Sequence, residues 1–393
     1  MALKADIIEV RPRNDATFDS TLGILRNGTD NNYPTRVERI TNSSVTAKQC
    51  TKMLAKFIFG QGFVSDVTDD SVIGRDKSGD ITLLKFLKRV CMSLSMHQGV
   101  FIHVNYNILG EKSSVSVLPY RWCRFIQEEK EGEITGVAVY DNWDRAKSVN
   151  IRKEKIDKFP FYSPDPNVVK KQIEDAGGIA LYKGQVLFAT LDEMHIYPLA
   201  TVDPAINDAD TDAQIGIFKN KTLRNGFMVK TILRHVPFES DSDKQDFKDS
   251  VVNWQGAENA ETILLVEDEF NSDFPNGQLK VDQLETKIND KLFEAWENSI
   301  PNKIRKCFNN IPPMLVDYVE GKLGGTSGES YKFAIDFYNS QTEEERLFVT
   351  QLMEEVFDNF STPLNMTFEI LPISGEFGTT TVTTQTTSIE PAN

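Results

Sequence analysis

Only four cysteines and four histidines occur in the 393 residues of this chain, and their placement removes several chemistries at once. Cys50, Cys91, Cys123 and Cys307 lie far apart, without the paired spacing that chelates zinc or marks a redox dithiol, so they are expected to be reduced thiols. His97, His103, His195 and His235 show no His-x-x-x-His spacing and stand beside no cysteine pair. Nowhere do eighteen apolar residues follow one another, and the start MALKADIIEVRPRNDATF has no apolar stretch of signal-peptide length. A protein made and kept in a reducing cytoplasm, off the membrane, is the expectation; the glycosylation-like triplets at Asn27 and Asn42 are then chance matches. Positive charge is also in deficit, with 58 acidic against 43 basic residues and a net charge of −15. Such a surface repels nucleic acid on average, which argues against tight DNA binding unless a local stripe overrides it.

Motifs that would carry catalysis are missing or incomplete. No Gly-x-Ser-x-Gly elbow is present, and no two carboxylates can be assigned acid and base roles. Asp208-Ala-Asp-Thr-Asp212 begins like a calcium loop but has Ala213 at the sixth place, where Gly is needed, and Lys219 at the twelfth, where Glu is needed. It reads better as an acidic first turn of a helix. Gly321-Lys-Leu-Gly-Gly-Thr-Ser327 has the composition of a phosphate loop, yet Leu323 stands where Ser or Thr must follow Gly-Lys. No cofactor and no metal are implied.

What is present is an ordered succession of elements. Asn31-Asn-Tyr-Pro-Thr-Arg-Val-Glu-Arg-Ile-Thr-Asn-Ser-Ser44 reads as two helix starts, Pro34 opening the first and Asn42, Ser43 and Ser44 offering caps to a second that ends at Gly60-Gln-Gly-Phe63. Asp80 is placed to cap a helix carrying Leu83, Leu87, Val90 and Leu94. From Gly99 the period changes to two, through VFIHVNYNIL, SVSVLPYRW, ITGVAVYDNW and VLFATL, which predicts an antiparallel meander or small sandwich. A helix follows from about Ala200 to a stop at Asn225-Gly226, then a strand–helix–strand insertion, FMVKTILRHV, Ser242 to Trp254, and ETILLVED. Leu284, Ile288, Leu292, Trp296 and Ile300 then step by four along a helix that Pro301 should kink or split, before Ile311-Pro-Pro313 ends it. A glycine-rich loop covers Gly321 to Glu329, a capping box at Thr342-Glu-Glu-Glu345 starts another helix, MTFEILPI reads as a last strand, and the Thr-rich tail has a disordered composition.

This order resembles that of tailed-bacteriophage portal proteins. The Asn31 to Ser44 stretch with Gly60-Gln-Gly-Phe63 is similar to their amino-terminal wing helices. Trp254-Gln-Gly-Ala-Glu-Asn-Ala260 before ETILLVED resembles their clip turn and strand. Phe308-Asn-Asn-Ile-Pro-Pro-Met-Leu315 resembles their Phe-Gly-Val-Pro-Pro segment, with Asn309 and Asn310 in place of a small residue. The resemblance implies an α+β, portal-like fold with a β-rich wing, helical stem, small α/β clip, kinked helix and channel loop, the crown being reduced or absent. It divides the chain into an arm (1–30), a wing (31–202), a stem helix (203–225), a clip (226–279), a returning helix (280–310), a channel-loop region (311–340), a carboxy-terminal wing or crown-base part (341–375) and a tail (376–393). It implies a ring, a dodecamer by family habit, at one capsid vertex in the virion and in the host cytoplasm during assembly. The ring would pass double-stranded DNA during packaging and ejection and contact the major capsid protein, the large terminase and a head-tail adaptor. Channel-loop candidates are then Lys322, Leu323, Gly324, Gly325, Thr326 and Ser327; transient DNA contacts are Lys303, Arg305 and Lys306; and the clip interface holds Phe227, Lys230, Trp254, Gln255 and Gly256. Another ring-forming head-tail adaptor, or a cytosolic enzyme with a β-rich domain, remains as the alternative.

Overall fold

The computed structural model describes residues 16–64, 71–77, 79–127, 133–143, 156–224, 229–235, 240–255, 263–267, 279–285, 290–317, 327–364 and 366–374. The chain divides into two compact units, Met1–Asn207 together with Lys303–Asn393, and Asp208–Asn302 between them.

In the first unit, alternating strands build two larger sheets and a separate two-stranded hairpin. Strands β1 (Thr17–Asp19) and β2 (Ile24–Arg26) precede the helical pair, and the hairpin β3 (Val72–Asp76) with β4 (Gly79–Thr82) follows it. Then come β5 (Gly99–Tyr106), β6 (Lys112–Leu118), β7 (Cys123–Gln127), β8 (Ile134–Val139), β9 (Asp157–Pro160) and β10 (Gln185–Thr190). One antiparallel sheet has the order β1-β2-β7-β8-β9 and the other β10-β5-β6. Side-chain alternation sends Leu25, Phe125 and Val137 of the first sheet into one core with Phe101 and Val186 of the second, while Ile24 and Ala138 pack with Trp143 in a separate cluster. This is the antiparallel sandwich that the period of two implied.

Helices α1 (Tyr33–Ser43), α2 (Val45–Phe59) and α3 (Leu83–His97) belong to the same unit. The break between the first two is made by Ser44, whose extended backbone (φ −79°, ψ 125°) leaves its hydroxyl free to accept from the amide of Ala47 at 3.0 Å. Thr82, not Asp80, caps α3, accepting from the amide of Lys85. Leu83, Leu87, Val90, Cys91 and Leu94 of α3 are almost wholly buried, as their spacing predicted; Phe86 joins them, and Leu84 is only partly buried. Between the sheets' strands the chain also forms α4 (Pro166–Asp175), which begins at Asp165-Pro166 and which the apolar pattern did not suggest.

The second unit holds α5 (Ile206–Arg224, entering from the first unit), β11 (Val229–His235), α6 (Asp241–Gln255), β12 (Ile263–Glu267), β13 (Leu279–Glu285) and most of α7 (Asp290–Cys307). Its sheet has the order β12-β11-β13, with β11 and β12 parallel across α6 and β13 antiparallel to β11. Leu284 therefore lies on a strand and not on the returning helix: the local sequence LKVDQLE alternates, and pairing along the whole of β11 outweighs the four-residue spacing to Ile288. Helix α7 runs through Pro301 in one piece.

The first unit resumes with α8 (Pro313–Val316), α9 (Ser327–Gln341) and α10 (Glu343–Phe357). Residues 327–329, read as glycine-rich loop, are the first turn of α9. Thr342 precedes α10 without capping it: its hydroxyl turns back to Tyr338 O at 2.9 Å, and Glu345 accepts from Asn309 instead of closing a box. MTFEILPI forms no strand; Ile370 makes a single bridge to Phe63. No described helix is long and apolar enough to cross a membrane.

Candidate functional site

The residues singled out on the chain's second half fall into three places. Phe227, Gly256, Lys322, Leu323, Gly324, Gly325 and Thr326 lie outside the described residues, as does the stop at Asn225-Gly226. Lys230 is on β11, Trp254 and Gln255 end α6, and Ser327 begins α9. Lys303, Arg305 and Lys306 share the last turns of α7, where the carboxy-terminal end of the helix dipole favours cations.

These three cations do not share a role. Lys303 and Lys306 are exposed, whereas Arg305 is only 6% exposed and pairs with Asp317 just after α8. Contact between Arg305 and a passing phosphate would require that pair to open, so the guanidinium is better described as a brace. The brace belongs to a larger frame. Asn309 and Asn310 both take the left-handed conformation (φ 53°), a C-terminal stop in which Phe308 and Ile311 both donate to Arg305 O at 3.2 Å. Asn suits both positions, because it tolerates this backbone better than most other side chains. Asn309 also donates to Gln341 O at 2.9 Å and to Glu345 at 2.6 Å, and Tyr338 donates to Phe308 O at 3.0 Å. Burial pushes the Tyr338 hydroxyl far up, and it pushes the Cys50 thiol nearby up to about 12 even though Arg305 pulls it down. Arg346 closes the frame onto α2, donating to Phe57 O at 3.3 Å, Thr342 Oγ1 at 2.7 Å and Asn339 O at 2.5 Å.

The Gly60-Gln-Gly62 end of α2 is fixed by the same part of the chain. Gln61 donates to Leu371 O at 2.9 Å and Leu371 to Gly62 O at 3.0 Å, with Gly60 at φ 59° pressed against the Leu371 carbonyl. The opening motif is a second latch. Asn31 adopts φ 59°, its side-chain oxygen accepts from the Asn27 amide at 3.0 Å and from Arg124, and the fully buried Arg124 also donates to Asn31 O and Cys123 O, each at 2.7 Å. Next to it, the buried Tyr33 hydroxyl donates to Asp203 at 2.8 Å and accepts from the Ala200 amide at 3.0 Å. Two short helices meeting at a capped break thus seat α1 on β7 and on the turn that precedes α5.

An open pocket of about 690 Å³ lies between α1, α3 and the chain around Tyr120. Its floor holds Glu38, 3.4 Å from Nε2 of the buried His97 and 3.1 Å from Arg121, while the His97 ring stacks on Tyr120 with centroids 4.4 Å apart. Burial acts to raise the Glu38 pKa, but the hydrogen bond and charge of His97, followed by Arg121, outweigh it and hold the carboxyl below its ordinary value. Ser93, one turn before His97, donates to Gly99 O at 2.8 Å and does not complete a Ser–His–Glu relay. His103 sits on β5 with its ring against Lys183 O at 2.6 Å, a sheet residue. No group of carboxylate, His or Cys side chains suited to a metal occurs among the described residues, and Asp208, Asp210 and Asp212 lie along α5.

The chain matches no protein-family profile and no curated protein. Among solved structures it is similar to a chain from the virion of a native gene transfer agent particle, at 12% identity and TM-score 0.47 over 82% of this chain and 81% of that one. A chain from the neck of the native particle, computed with C12 symmetry, gives 12% identity and TM-score 0.48 over 83% and 82%. An HK97 family phage portal protein from Corynebacterium diphtheriae gives 11% identity and TM-score 0.37 over 79% and 89%.

Proposed function

We propose that this chain is a portal-type subunit of a phage or phage-like particle, which closes into a ring at one vertex of the capsid and lets double-stranded DNA through. The observation that carries the reading is the chain order: a compact α+β unit is interrupted by a second unit, residues 208–302, entered along α5 and left along α7. A helix out, a small sheet with one helix, and a helix back is the succession that the portal resemblance requires. In this reading residues 226–279 of the inserted unit are the clip that meets terminase and later the tail adaptor, between the stem helices α5 and α7, with Lys230, Trp254 and Gln255 at its contact surface. The channel-loop residues of this reading are Lys322 to Ser327, of which 322–326 lie outside the described residues.

Charge supports the same role. A conduit must not retain the polymer that passes through it, and a net charge of −15 disfavours phosphate binding, with the exposed Lys303 and Lys306 as the positions for brief contacts. Work for translocation would come from the terminase, so no catalytic residue is assigned. The ring would be heterologous, each subunit presenting one face to one neighbour and a different face to the other.

The test is negative-stain imaging of the purified full chain, alone and with the capsid and scaffold proteins of its particle. Rings with a central hole are the expected result, and deletion of 227–270 should abolish terminase capture while largely leaving the wing fold. A chain that stays single in both conditions would return the enzyme alternative to the front, and rings whose terminase capture survives the deletion would favour the adaptor.

A further inference from the structure

Charge is distributed very unevenly over the first unit. Helices α1, α2 and α3 carry eight Lys and Arg against one acid, Glu38, in a chain whose net charge is −15. Lys48, Lys52 and Lys56 are exposed and recur every four residues along one face of α2, where they repel one another. Lys88 of α3 lies over the Phe59 ring at 5.3 Å, one turn beyond Lys56, and Lys85 precedes it, so the basic face continues from one helix to the next. No carboxylate among the described residues engages any of these five lysines. Helices α9 and α10 are the reverse, with seven acids against Lys332 and the buried Arg346. On α10, Glu344, Leu347, Gln351 and Glu354 form one exposed row, and Leu347 in the middle of it is 57% exposed. The basic row likewise has an exposed apolar residue, Val45, at 74%.

We propose that the lysine face of α2 and α3 docks on the acidic row of α10 in a second copy of this chain, and that this pairing is the head-to-tail contact of the ring. The claim rests on the ring reading above and adds which faces meet. Opposite charges on two separate rows of one subunit, on α2 with α3 and on α10, suit a heterologous contact, because each copy then offers a basic row to one neighbour and an acidic row to the other. The exposed Leu347 within the acidic row, and Val45 at the end of the lysine row, would supply apolar contact beside the charges. A phosphate backbone is the other polyanion such a face would suit, but the net charge of −15 opposes it at long range.

Charge reversal tests this directly. Lys52→Glu with Lys56→Glu should prevent assembly of the full chain, and so should Glu344→Lys with Glu354→Lys, because each puts like charges together. Mixed in equal amounts, the two variants should assemble again, since every contact in an alternating ring is then between opposite charges. Wild-type rings should also dissociate at least tenfold more readily at 500 mM than at 50 mM salt. If both variants keep wild-type circular dichroism and still form rings alone, or fail to assemble when mixed, the proposal is wrong although the ring reading stands. A wild-type chain that never forms rings sinks the ring reading itself. Should a reversed variant not fold, Lys52→Gln with Lys56→Gln must weaken assembly at least tenfold, and an unchanged assembly overturns the claim. Retention of a random-sequence DNA duplex by wild type, lost in the lysine variant while rings persist, would assign the face to nucleic acid instead.

Discussion

Replacing Gly60 by alanine should destabilise the first unit far more than the same change at Gly110, although both glycines have positive φ (59° and 80°). A Cβ at Gly110 meets nothing within 4 Å, so the cost there is the left-handed backbone alone, about 1–2 kcal/mol. At Gly60 an added Cβ would stand 2.0 Å from Leu371 O and 3.1 Å from Ile370 Cγ2. The carbonyl belongs to backbone and cannot rotate away like a flexible side chain. The 370–372 segment must therefore withdraw, giving up the Gln61–Leu371 and Leu371–Gly62 hydrogen bonds. At about 1 kcal/mol for each bond, added to the backbone strain, the expected loss is roughly 3–4 kcal/mol. Urea unfolding of the two variants and the wild type measures it, with the midpoint compared at constant slope. Native-state proteolysis around 366–374 should accelerate in Gly60→Ala only. If the two variants fell within about 0.5 kcal/mol of each other, the account of the Gly60-Gln-Gly62 motif as a latch on the carboxy-terminal segment would be refuted.

Three further outcomes follow from the same geometry. Arg346→Met leaves the Phe57 and Asn339 carbonyls without their buried donor and should cost about 3 kcal/mol in urea midpoint analysis, whereas Arg75→Met, at an exposed pair with Asp80, should cost under about 1 kcal/mol. Because the folded Glu38 carboxyl is held below its unfolded value of about 4.3, its contribution is present above that pH and is lost as pH falls through the depressed value. Stability measured from pH 5.5 to 3 should thus fall more steeply in wild type than in Glu38→Gln, and equal slopes would contradict the pairing with His97 and Arg121. Burial raises the pKa of the Cys50, Cys91 and Cys123 thiols, and Cys307 alone is partly exposed, so a thiol reagent at pH 8 should label one residue quickly and the other three only on unfolding.

The parts of this architecture that local chemistry dictates could be read from the sequence. Pro34, Ser44 and the apolar spacing of α3 announce helices because caps and periodicity act within a few residues, and the alternation of VFIHVNYNIL announces β5 for the same reason. Where partners are distant, local sequence does not decide. LKVDQLE serves a strand or a helix start equally, and only β11 decides. MTFEILPI alternates as a strand should but finds a single bridge partner. Arg305, Arg124 and Arg346 look like ordinary surface cations in the sequence, and their burial depends on carbonyls and side chains far along the chain. Asn309-Asn310 did carry a usable signal, since Asn after a helix marks a left-handed stop, and it was legible there as a difference from a motif instead of as a cap. The uneven charge of the helices was also in view, but only the folded chain joins Lys56 to Lys88 across Phe59.

The central claim is that this chain builds a closed ring around a passage for DNA. A three-dimensional reconstruction by electron cryo-microscopy of the assembled full-length protein tests it most directly. The account predicts a closed, head-to-tail ring whose mass is a whole multiple of 44.4 kDa and whose central hole admits a DNA duplex. A two-fold symmetric dimer, an open filament, or a monomer that persists with its capsid and scaffold proteins present would contradict it.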